Sequence, residues 1–121
     1  MLDAVRKGAQ ITVCELFREV VTWNAGPLGP LAAYLLRDNR VTVLTQSVAD
    51  VILRQEQSFD AIIIDTDNGP DAIMHGSNQI LYQRETLQQI SRMLGHKGVV
   101  GFWSATISRS FEAVLEEVGW H

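Results

Sequence analysis

The chain has 121 residues, 46% of them hydrophobic and 20% charged, an ordinary composition for one soluble globular domain. A net charge of −4, from 14 acidic and 10 basic residues, argues against a nucleic-acid surface, because phosphates attract basic patches. The single cysteine, Cys14, excludes an internal disulfide and a thiolate metal cluster. No apolar run approaches the roughly 18 residues of a membrane helix. We therefore predict one domain over residues 1–121, in the reducing cytoplasm, with neither nucleic acid nor a membrane as partner.

The first third of the chain predicts one strand with helices around it. Residues 2–9 have the pattern of the last turns of an amphipathic helix. Gln10-Ile-Thr-Val-Cys-Glu15 alternates and is rich in β-branched residues, which indicates a strand that ends on the carboxylate of Glu15. Apolar residues then recur at helical spacing, and they do so again after the Gly-Pro pairs at 26–27 and 29–30, which predicts two helices. The positions on the two predicted faces are Phe17, Val20, Val21 and Asn24, and then Leu28, Leu31, Ala32, Leu35 and Leu36.

The next segment predicts a second strand and a capped helix. Asn39-Arg40 turns the chain into the strand Val41 to Leu44. Ser47-Val-Ala-Asp50 matches a capping box, with serine at the N-cap and an acid three residues later. A helix is therefore expected to begin there, with Val48, Val51 and Ile52 facing inward.

Phe59 to Asp65 is the strand around which the rest of the chain is expected to be organised. Its four consecutive apolar residues, Ala61 to Ile64, are typical of a parallel strand buried on both faces, so we expect helices on both sides. The strand ends on Asp65, and Asp67-Asn-Gly-Pro70 has turn chemistry. Ligands bind at the carboxyl ends of strands in open α/β sheets, so the long acidic loop over residues 66–79 is a candidate site.

The last third predicts a helix, a strand and a helix. Leu87, Ile90 and Leu94 form one stripe of the first helix, and Gly95 and Gly98 mark a turn into a strand over residues 99–103. The final helix ends with Gly119 as its C′ residue. Strands separated by helices imply right-handed βαβ units. We predict the α/β class: a Rossmann-like three-layer sandwich with about four parallel strands.

Four blocks of this sequence form a specific combination. They are Thr12-Val-Cys-Glu15 with the helix after it, Asp65-Thr-Asp-Asn-Gly-Pro70, Asn78-Gln-Ile-Leu-Tyr82 and Gly98-Val-Val-Gly-Phe-Trp-Ser104. The combination resembles the spermidine-synthase-like branch of the class I S-adenosylmethionine-dependent methyltransferase fold, over roughly residues 5 to 120. The resemblance implies a transferase that moves an aminopropyl or methyl group to an amine. Its cofactor would be S-adenosylmethionine or the decarboxylated form.

The resemblance also implies roles for individual residues. Glu15 matches the acid that accepts hydrogen bonds from the ribose hydroxyls of the nucleoside. Ser47 stands where the family usually has an aspartate that binds the adenine amino group, and a helix cap explains this serine better. Asp65 matches the acid that holds and deprotonates the attacking amine, and Asp67 lies where the family often has a second acid. Tyr82 matches a family tyrosine without an assignable role.

The chain departs from the family pattern at its start, because the family begins with a strand that ends in a glycine-rich turn and residues 1–9 match only the following helix. The chain is therefore expected to be a truncated relative, and the alternative to an enzyme is a non-catalytic binding or dimerisation module. In the full fold the missing strand lies between the strands that end at Glu15 and Asp65. We predict either direct closure of these two strands, in the order 2-1-3-4, or a homodimer that covers the exposed edges.

Other interpretations of the same residues stay open at this point. Glu15 is equally a solvated acid at a strand end, and Asp65 and Asp67 have the chemistry of Asx turns. The two aspartates would also suit a divalent cation, but no third ligand is suggested, so we predict no metal site. His75 in the long loop is a candidate base or simply an exposed side chain. Three tryptophans are candidates for stacking on a base, although core packing explains them as well: Trp23, Trp103 and Trp120.

Overall fold

The computed structural model describes residues 6–54, 58–66, 69–71 and 76–120. These residues form a mixed α/β fold with two parallel two-stranded sheets, an incomplete Rossmann-like arrangement. The chain divides into two compact units, residues 1–51 and 52–121. The prediction of a single domain over 1–121 stays a prediction. No helix of the described ranges is long and apolar enough to cross a membrane.

The sheet of the first unit consists of β1 (Ile11–Glu15) and β2 (Val41–Thr45). The strands run parallel and in register, from Ile11 opposite Val41 to Glu15 opposite Thr45. Helix α1 (Arg18–Ala25) follows β1 and packs on it. Both predicted strands are confirmed, because each is a short β-branched run bounded by turn residues.

The predicted helix over Leu28 to Leu36 is wrong. The structure has two 3-10 helices instead, Gly29–Ala32 and Leu35–Arg37. Ala33 and Tyr34 between them have φ angles of 48° and 53°, which no α-helix contains. The reason is local packing: the Tyr34 ring lies against the backbone of Gly29, and the Tyr34 N–H donates to the Gly29 carbonyl at 2.8 Å. As a result Leu31 is 86% exposed rather than on a buried face.

Helix α2 (Val48–Arg54) begins where the sequence predicted. The carbonyl of Ser47 accepts from the Val51 N–H at 3.1 Å, which places Ser47 at the N-cap position. Ile52 is buried, whereas Val48 and Val51 are half-buried.

The sheet of the second unit consists of β3 (Phe59–Ile64) and β4 (Leu94–Phe102), again parallel. Its register is interrupted once. Phe59 is opposite Leu94 and Ala61 is opposite Val99, so two steps along β3 match five along β4. The predicted Gly95–Gly98 turn therefore exists, but inside β4, which starts earlier than the sequence indicated.

Besides its two strands, the second unit contains a 3-10 helix (Gly76–Tyr82), which begins inside the predicted loop over residues 66–79, and helices α3 (Arg84–Met93) and α4 (Arg109–Glu117). Helix α3 packs on the 3-10 helix, on β4 and on α4. Helix α4 ends in a Schellman motif, in which Gly119 has φ of 86° and donates to the Glu116 carbonyl at 2.9 Å. The Trp120 N–H donates to the Leu115 carbonyl at 3.0 Å, which completes the motif. The predicted final helix and its glycine are confirmed.

The buried hydrophobic side chains of the described structure lie in the second unit. Tyr82 and Phe111 meet edge to face with ring centroids 5.3 Å apart, and Phe102 and Phe111 do so at 5.1 Å. Within the described part of the first unit, only Gly29 is buried. The buried hydrophobic residues are Ile52, Ile64, Leu81, Tyr82, Leu87, Ile90, Met93 and Phe111.

Two expectations about the central strand are wrong. Strand β3 is not buried on both faces: Ile64 is 3% exposed, but Ile63 is 69% exposed, because the helices of its unit cover only one side. Strand β3 also does not pair with β1, because the described strands form two separate sheets, β1–β2 and β3–β4. Hydrophobic pattern specifies which face of a strand is buried, whereas lateral order depends on backbone hydrogen bonds that every non-proline residue can make.

Candidate functional site

Glu15 is the last residue of β1 and is half-buried in the first unit. Its Oε1 accepts a hydrogen bond from the Phe17 N–H at 2.8 Å, just before α1 begins. This bond fixes the carboxylate beside the start of the helix. Among the described residues no other hydrogen bond to Glu15 is formed, so Oε2 remains able to accept from a ligand hydroxyl.

A cleft of about 220 Å³ lies next to Glu15, between the sheet of the first unit and the segments that cover it. Apart from Glu15, its polar lining is the side chain of Asn24, which donates to the Val20 carbonyl at 2.9 Å. Ligand sites of about 300 Å³ or more are typical, so this cleft suits part of a small molecule. The apolar lining residues are Val13, Val20, Val21, Leu36 and Val43.

The sequence interpretation identified Glu15 but missed the cleft. Val20, Val21 and Asn24 were recognised by helical spacing, which correctly indicated a shared face but not what that face encloses. Leu36 could not be placed, because the predicted helix that carried it does not form. Ser47, the other predicted cofactor residue, is not among the residues that line this cleft.

Cys14 lies beside Glu15 on β1 and is half-buried. Its thiol donates to the Gln46 carbonyl at 3.2 Å. Burial, together with the neighbouring Glu15 carboxylate, raises the pKa of the Cys14 thiol above its usual value. The thiol is therefore protonated near neutral pH, which opposes a nucleophilic role.

Asp65 follows β3 directly in the second unit, and its residue is exposed. The strand thus ends at Ile64, one residue before the predicted end at Asp65, and the role of Asp65 in a site stays a prediction. Asp67, the second predicted acid, lies outside the described residues, and so does the candidate base His75.

The carboxyl ends of β3 and β4 lie side by side at Asp65. The Trp103 N–H donates to the Ile64 carbonyl at 2.9 Å, so the strand pairing continues to the last residues. Gly69, where the described chain resumes, is buried against Ser104, with φ of 107°. The turn at Gly69-Pro70 is evident from the sequence, but no local pattern indicates the contact of Gly69 with Ser104, which is distant in sequence.

The three tryptophans have different surroundings. Trp23 and Trp103 are 52% and 48% exposed, so neither is packed in a core. Trp120 is half-buried and lies 6.3 Å from the Phe102 ring centroid. In the ranges that the structure describes, no three His, Cys, Asp or Glu side chains are close enough to hold a metal ion.

The sequence of the chain as a whole corresponds to one known family. The sequence matches the model of the spermine/spermidine synthase domain over residues 2–114, nearly the whole chain. The chain belongs to this family. No curated protein sequence matches the chain closely enough to count as a relative.

Membership in the spermine/spermidine synthase family identifies the chain as spermidine-synthase-like. The family consists of aminopropyltransferases that use decarboxylated S-adenosylmethionine and an amine. The chemistry of the first unit fits part of the nucleoside of this donor. Glu15 has a carboxylate oxygen that can accept from hydroxyls, and it lies next to a cleft with apolar walls.

Proposed function

We propose that this spermidine-synthase-like protein binds decarboxylated S-adenosylmethionine and transfers its aminopropyl group to an amine. The observation that carries the proposal is the half-buried Glu15 carboxylate, which has one oxygen bound to the Phe17 N–H and faces an apolar cleft with the rest of its surface. The family match over residues 2–114 supports the reaction class. S-adenosylmethionine, with methyl transfer, is the second possible donor.

In the first unit, the proposed role of Glu15 is to accept the two vicinal ribose hydroxyls. A carboxylate does this well because it has acceptor positions only and both hydroxyls can reach it. Val13, Val20 and Val43 provide apolar surface in the same cleft, which suits the uncharged nucleoside part of the donor. For Ser47 we retain only the possibility of a contact with the base, because its position is explained by the start of α2.

In the second unit, the proposed role of Asp65 is to bind and deprotonate the amine. When bound, the donor would supply a carbon activated for displacement by its sulfonium; as the new C–N bond forms, the C–S bond breaks and the sulfur leaves as a neutral thioether. The attacking nitrogen needs a free lone pair, so the proton of its ammonium form must first move to a base, and an exposed carboxylate at a strand end can accept it. Asp65 and Asp67 would share this work, with one carboxylate orienting the amine while the other takes the proton.

The test of the nucleoside site is calorimetric titration of the full chain with 5′-methylthioadenosine. Loss of one charge-assisted hydrogen bond should raise the Kd of the Glu15→Gln variant about tenfold. Glu19→Gln is the matched control, because Glu19 is an exposed glutamate in the first turn of α1, outside the cleft. Equal Kd values for the two variants, or no saturable binding by the folded wild type, would show that Glu15 is not a ribose ligand.

A second candidate function is a non-catalytic homodimerisation module. It is favoured by two observations: the described part of the first unit has only Gly29 buried, and β1 pairs with one neighbour, β2. The Ile11 N–H donates to the Arg40 carbonyl at 2.8 Å, so in a parallel ladder the polar backbone groups of Thr12 point to the opposite edge. We propose that a second copy of the chain pairs with this edge.

A further inference from the structure

Gly69 makes an unusually close backbone contact with Ser104. A Cβ atom at position 69 would lie 2.8 Å from the Ser104 Cβ and 3.3 Å from its Cα, and would meet the Ser104 Oγ still more closely. Gly69 is also buried, and its φ of 107° is a conformation that side-chain-bearing residues rarely adopt. Position 69 therefore requires glycine for two independent reasons.

The Ser104 side chain is itself held in place. Its Oγ donates to the Thr106 carbonyl at 2.5 Å and accepts from the Thr106 N–H at 3.4 Å. Both bonds lie within one turn after β4, so the hydroxyl has little freedom to rotate away. The Ser104 side chain therefore presents a fixed surface to Gly69.

Trp103, the residue before Ser104, holds the chain on the other side of Asp65. The Trp103 N–H donates to the carbonyl of Ile64, the residue that precedes Asp65, at 2.9 Å. Two consecutive residues immediately after β4 thus hold the chain on both sides of Asp65: Trp103 at position 64 and Ser104 at position 69. We propose that Ser104 is a positioning residue, which sets the location of the Asp65 carboxylate by anchoring Gly69.

Such anchoring matters because Asp65 is exposed and its side chain is not fixed by burial. A catalytic carboxylate must be held within about 0.5 Å of its productive position, and backbone anchors on rigid elements are the usual means. Strand β4 is such an element, since it is paired with β3 up to Phe102. The role of the carboxylate rests on the proposed function, whereas the anchor itself does not.

The anchor is tested by amide hydrogen exchange of the full chain, read by mass spectrometry on peptides that contain residues 65–71. Gly69→Ala should speed exchange there about tenfold, because the added methyl group cannot fit against Ser104. Gly101→Ala is the matched control. Gly101 lies on β4, and a Cβ atom there would meet nothing within 4 Å. Ser104→Ala, which keeps the Cβ and loses both bonds to Thr106, should give a smaller acceleration.

The double variant Gly69→Ala/Ser104→Gly tests whether the two residues act through each other. Removing the Ser104 side chain removes the atoms that the new methyl group would meet first, so exchange in the double variant should be several-fold slower than in Gly69→Ala alone. Some acceleration should persist because of the φ of Gly69. Unchanged exchange in both Gly69→Ala and Ser104→Ala, or effects of the two residues that simply add, would overturn the anchor.

A kinetic measurement separates positioning from a merely structural effect. With 1,4-diaminobutane as the probe amine, Ser104→Ala should raise the KM for the amine about tenfold and leave the Kd for 5′-methylthioadenosine within about twofold. An equal loss of affinity for both ligands would contradict a positioning role. If Asp65→Asn changes neither kcat nor this KM, the proposed function of Asp65 is wrong, and the exchange experiment alone then decides the anchor.

Discussion

Asp38 and Arg40 fix the turn that leads into β2 through three hydrogen bonds. The Arg40 Nε and Nη2 donate to the two carboxylate oxygens of Asp38 at 2.9 Å each, and the Arg40 backbone N–H donates to Oδ1 at 2.9 Å. The side-chain bonds from Arg40, followed by the backbone bond, lower the pKa of Asp38 from its usual 3.8 to about 2. The turn therefore depends on the ionised carboxylate.

This lowered pKa gives stability a defined pH dependence. A folded-state pKa below the unfolded value contributes stability that is fully present above pH 3.8 and is lost as pH falls through about 2. Asp38→Asn should therefore lower the free energy of unfolding at neutral pH, and the difference from wild type should shrink below about pH 4. Urea unfolding at a series of pH values measures it.

Asp60→Asn is the control for this pH series. Asp60 is exposed and takes part in no ion pair of the described residues, so its variant should differ little from wild type at any pH. A difference between Asp38→Asn and wild type that is the same in acid as at neutral pH would show that the ionised form of Asp38 is not what stabilises the turn.

For individual residues, the sequence predicts where a candidate functional side chain lies along the chain better than it predicts the hydrogen bonds and contacts around it. Asp65 was predicted from the rule that ligands bind at the carboxyl ends of parallel strands, and Glu15 from the family resemblance; Glu15 is the last residue of β1, and Asp65 directly follows β3. The bond from the Phe17 N–H to Glu15 and the contact between Gly69 and Ser104 were not predicted. Both depend on backbone torsions that no local pattern specifies.

The N-terminus of α4 illustrates what a single cap contributes to an element. The Ser108 Oγ accepts from the Phe111 N–H at 3.3 Å, and Ser108 is buried at 7% exposure. Ser108→Ala removes the partner of one of the first N–H groups of the helix and should cost about 1 kcal/mol of unfolding free energy. Chemical denaturation of the variant and the wild type gives this number.

Ser91→Ala is the matched control for the cap, because Ser91 is exposed and lies inside α3. Alanine is the better helix former there, so this variant should be at least as stable as wild type. Equal stability of the two serine variants would mean that the Ser108 hydroxyl does not act as a cap.

Elements were predictable where periodicity is strong and local. The stripe of Leu87, Ile90 and Leu94 predicted α3, although Leu94 is the first residue of β4, and Gly119 predicted the end of α4. The segment after α1 was mispredicted because its leucines have helical spacing while Tyr34 folds back on Gly29, and the resulting positive φ angles at Ala33 and Tyr34 break the helix. Spacing records apolar positions, but it does not record such a contact between a ring and a glycine.

For the whole molecule, the α/β class and the parallel pairing followed from the alternation of elements, but the lateral order of strands did not. Among the described strands, β1 pairs with β2 and β3 pairs with β4, although the apolar patterns of β1 and β3 are compatible with pairing. The apolar run of β3 predicted burial on both faces of the strand. This is wrong, since Ile63 and Val99 are 69% and 63% exposed on the same face of the sheet. Which surfaces are covered depends on where the helices go, and that is a property of the assembled fold.

The proposed homodimer makes a prediction at this scale. Thr12→Pro removes the backbone N–H from the free edge of β1 and leaves the pairing of Ile11 with β2 unaffected, so it should weaken dimerisation about tenfold. Thr12→Ala is the matched control, because it changes the same side chain and keeps the N–H. Sedimentation equilibrium measures both, and a wild-type monomer or identical dissociation constants for the two variants would contradict pairing through this edge.

The interruption of β4 between Gly95 and Gly98 has a consequence for the history of the chain. His96 and Lys97 are exposed there, and the strand regains its register with β3 at Val99. The residues between Leu94 and Val99 lie outside the regular pairing with β3. Residues can therefore be gained or lost in this turn without changing the register of Val99 to Phe102 with β3. Changes of length are thus absorbed at the amino end of the sheet, and the opposite end, which bears Asp65, Gly69 and Ser104, keeps its alignment.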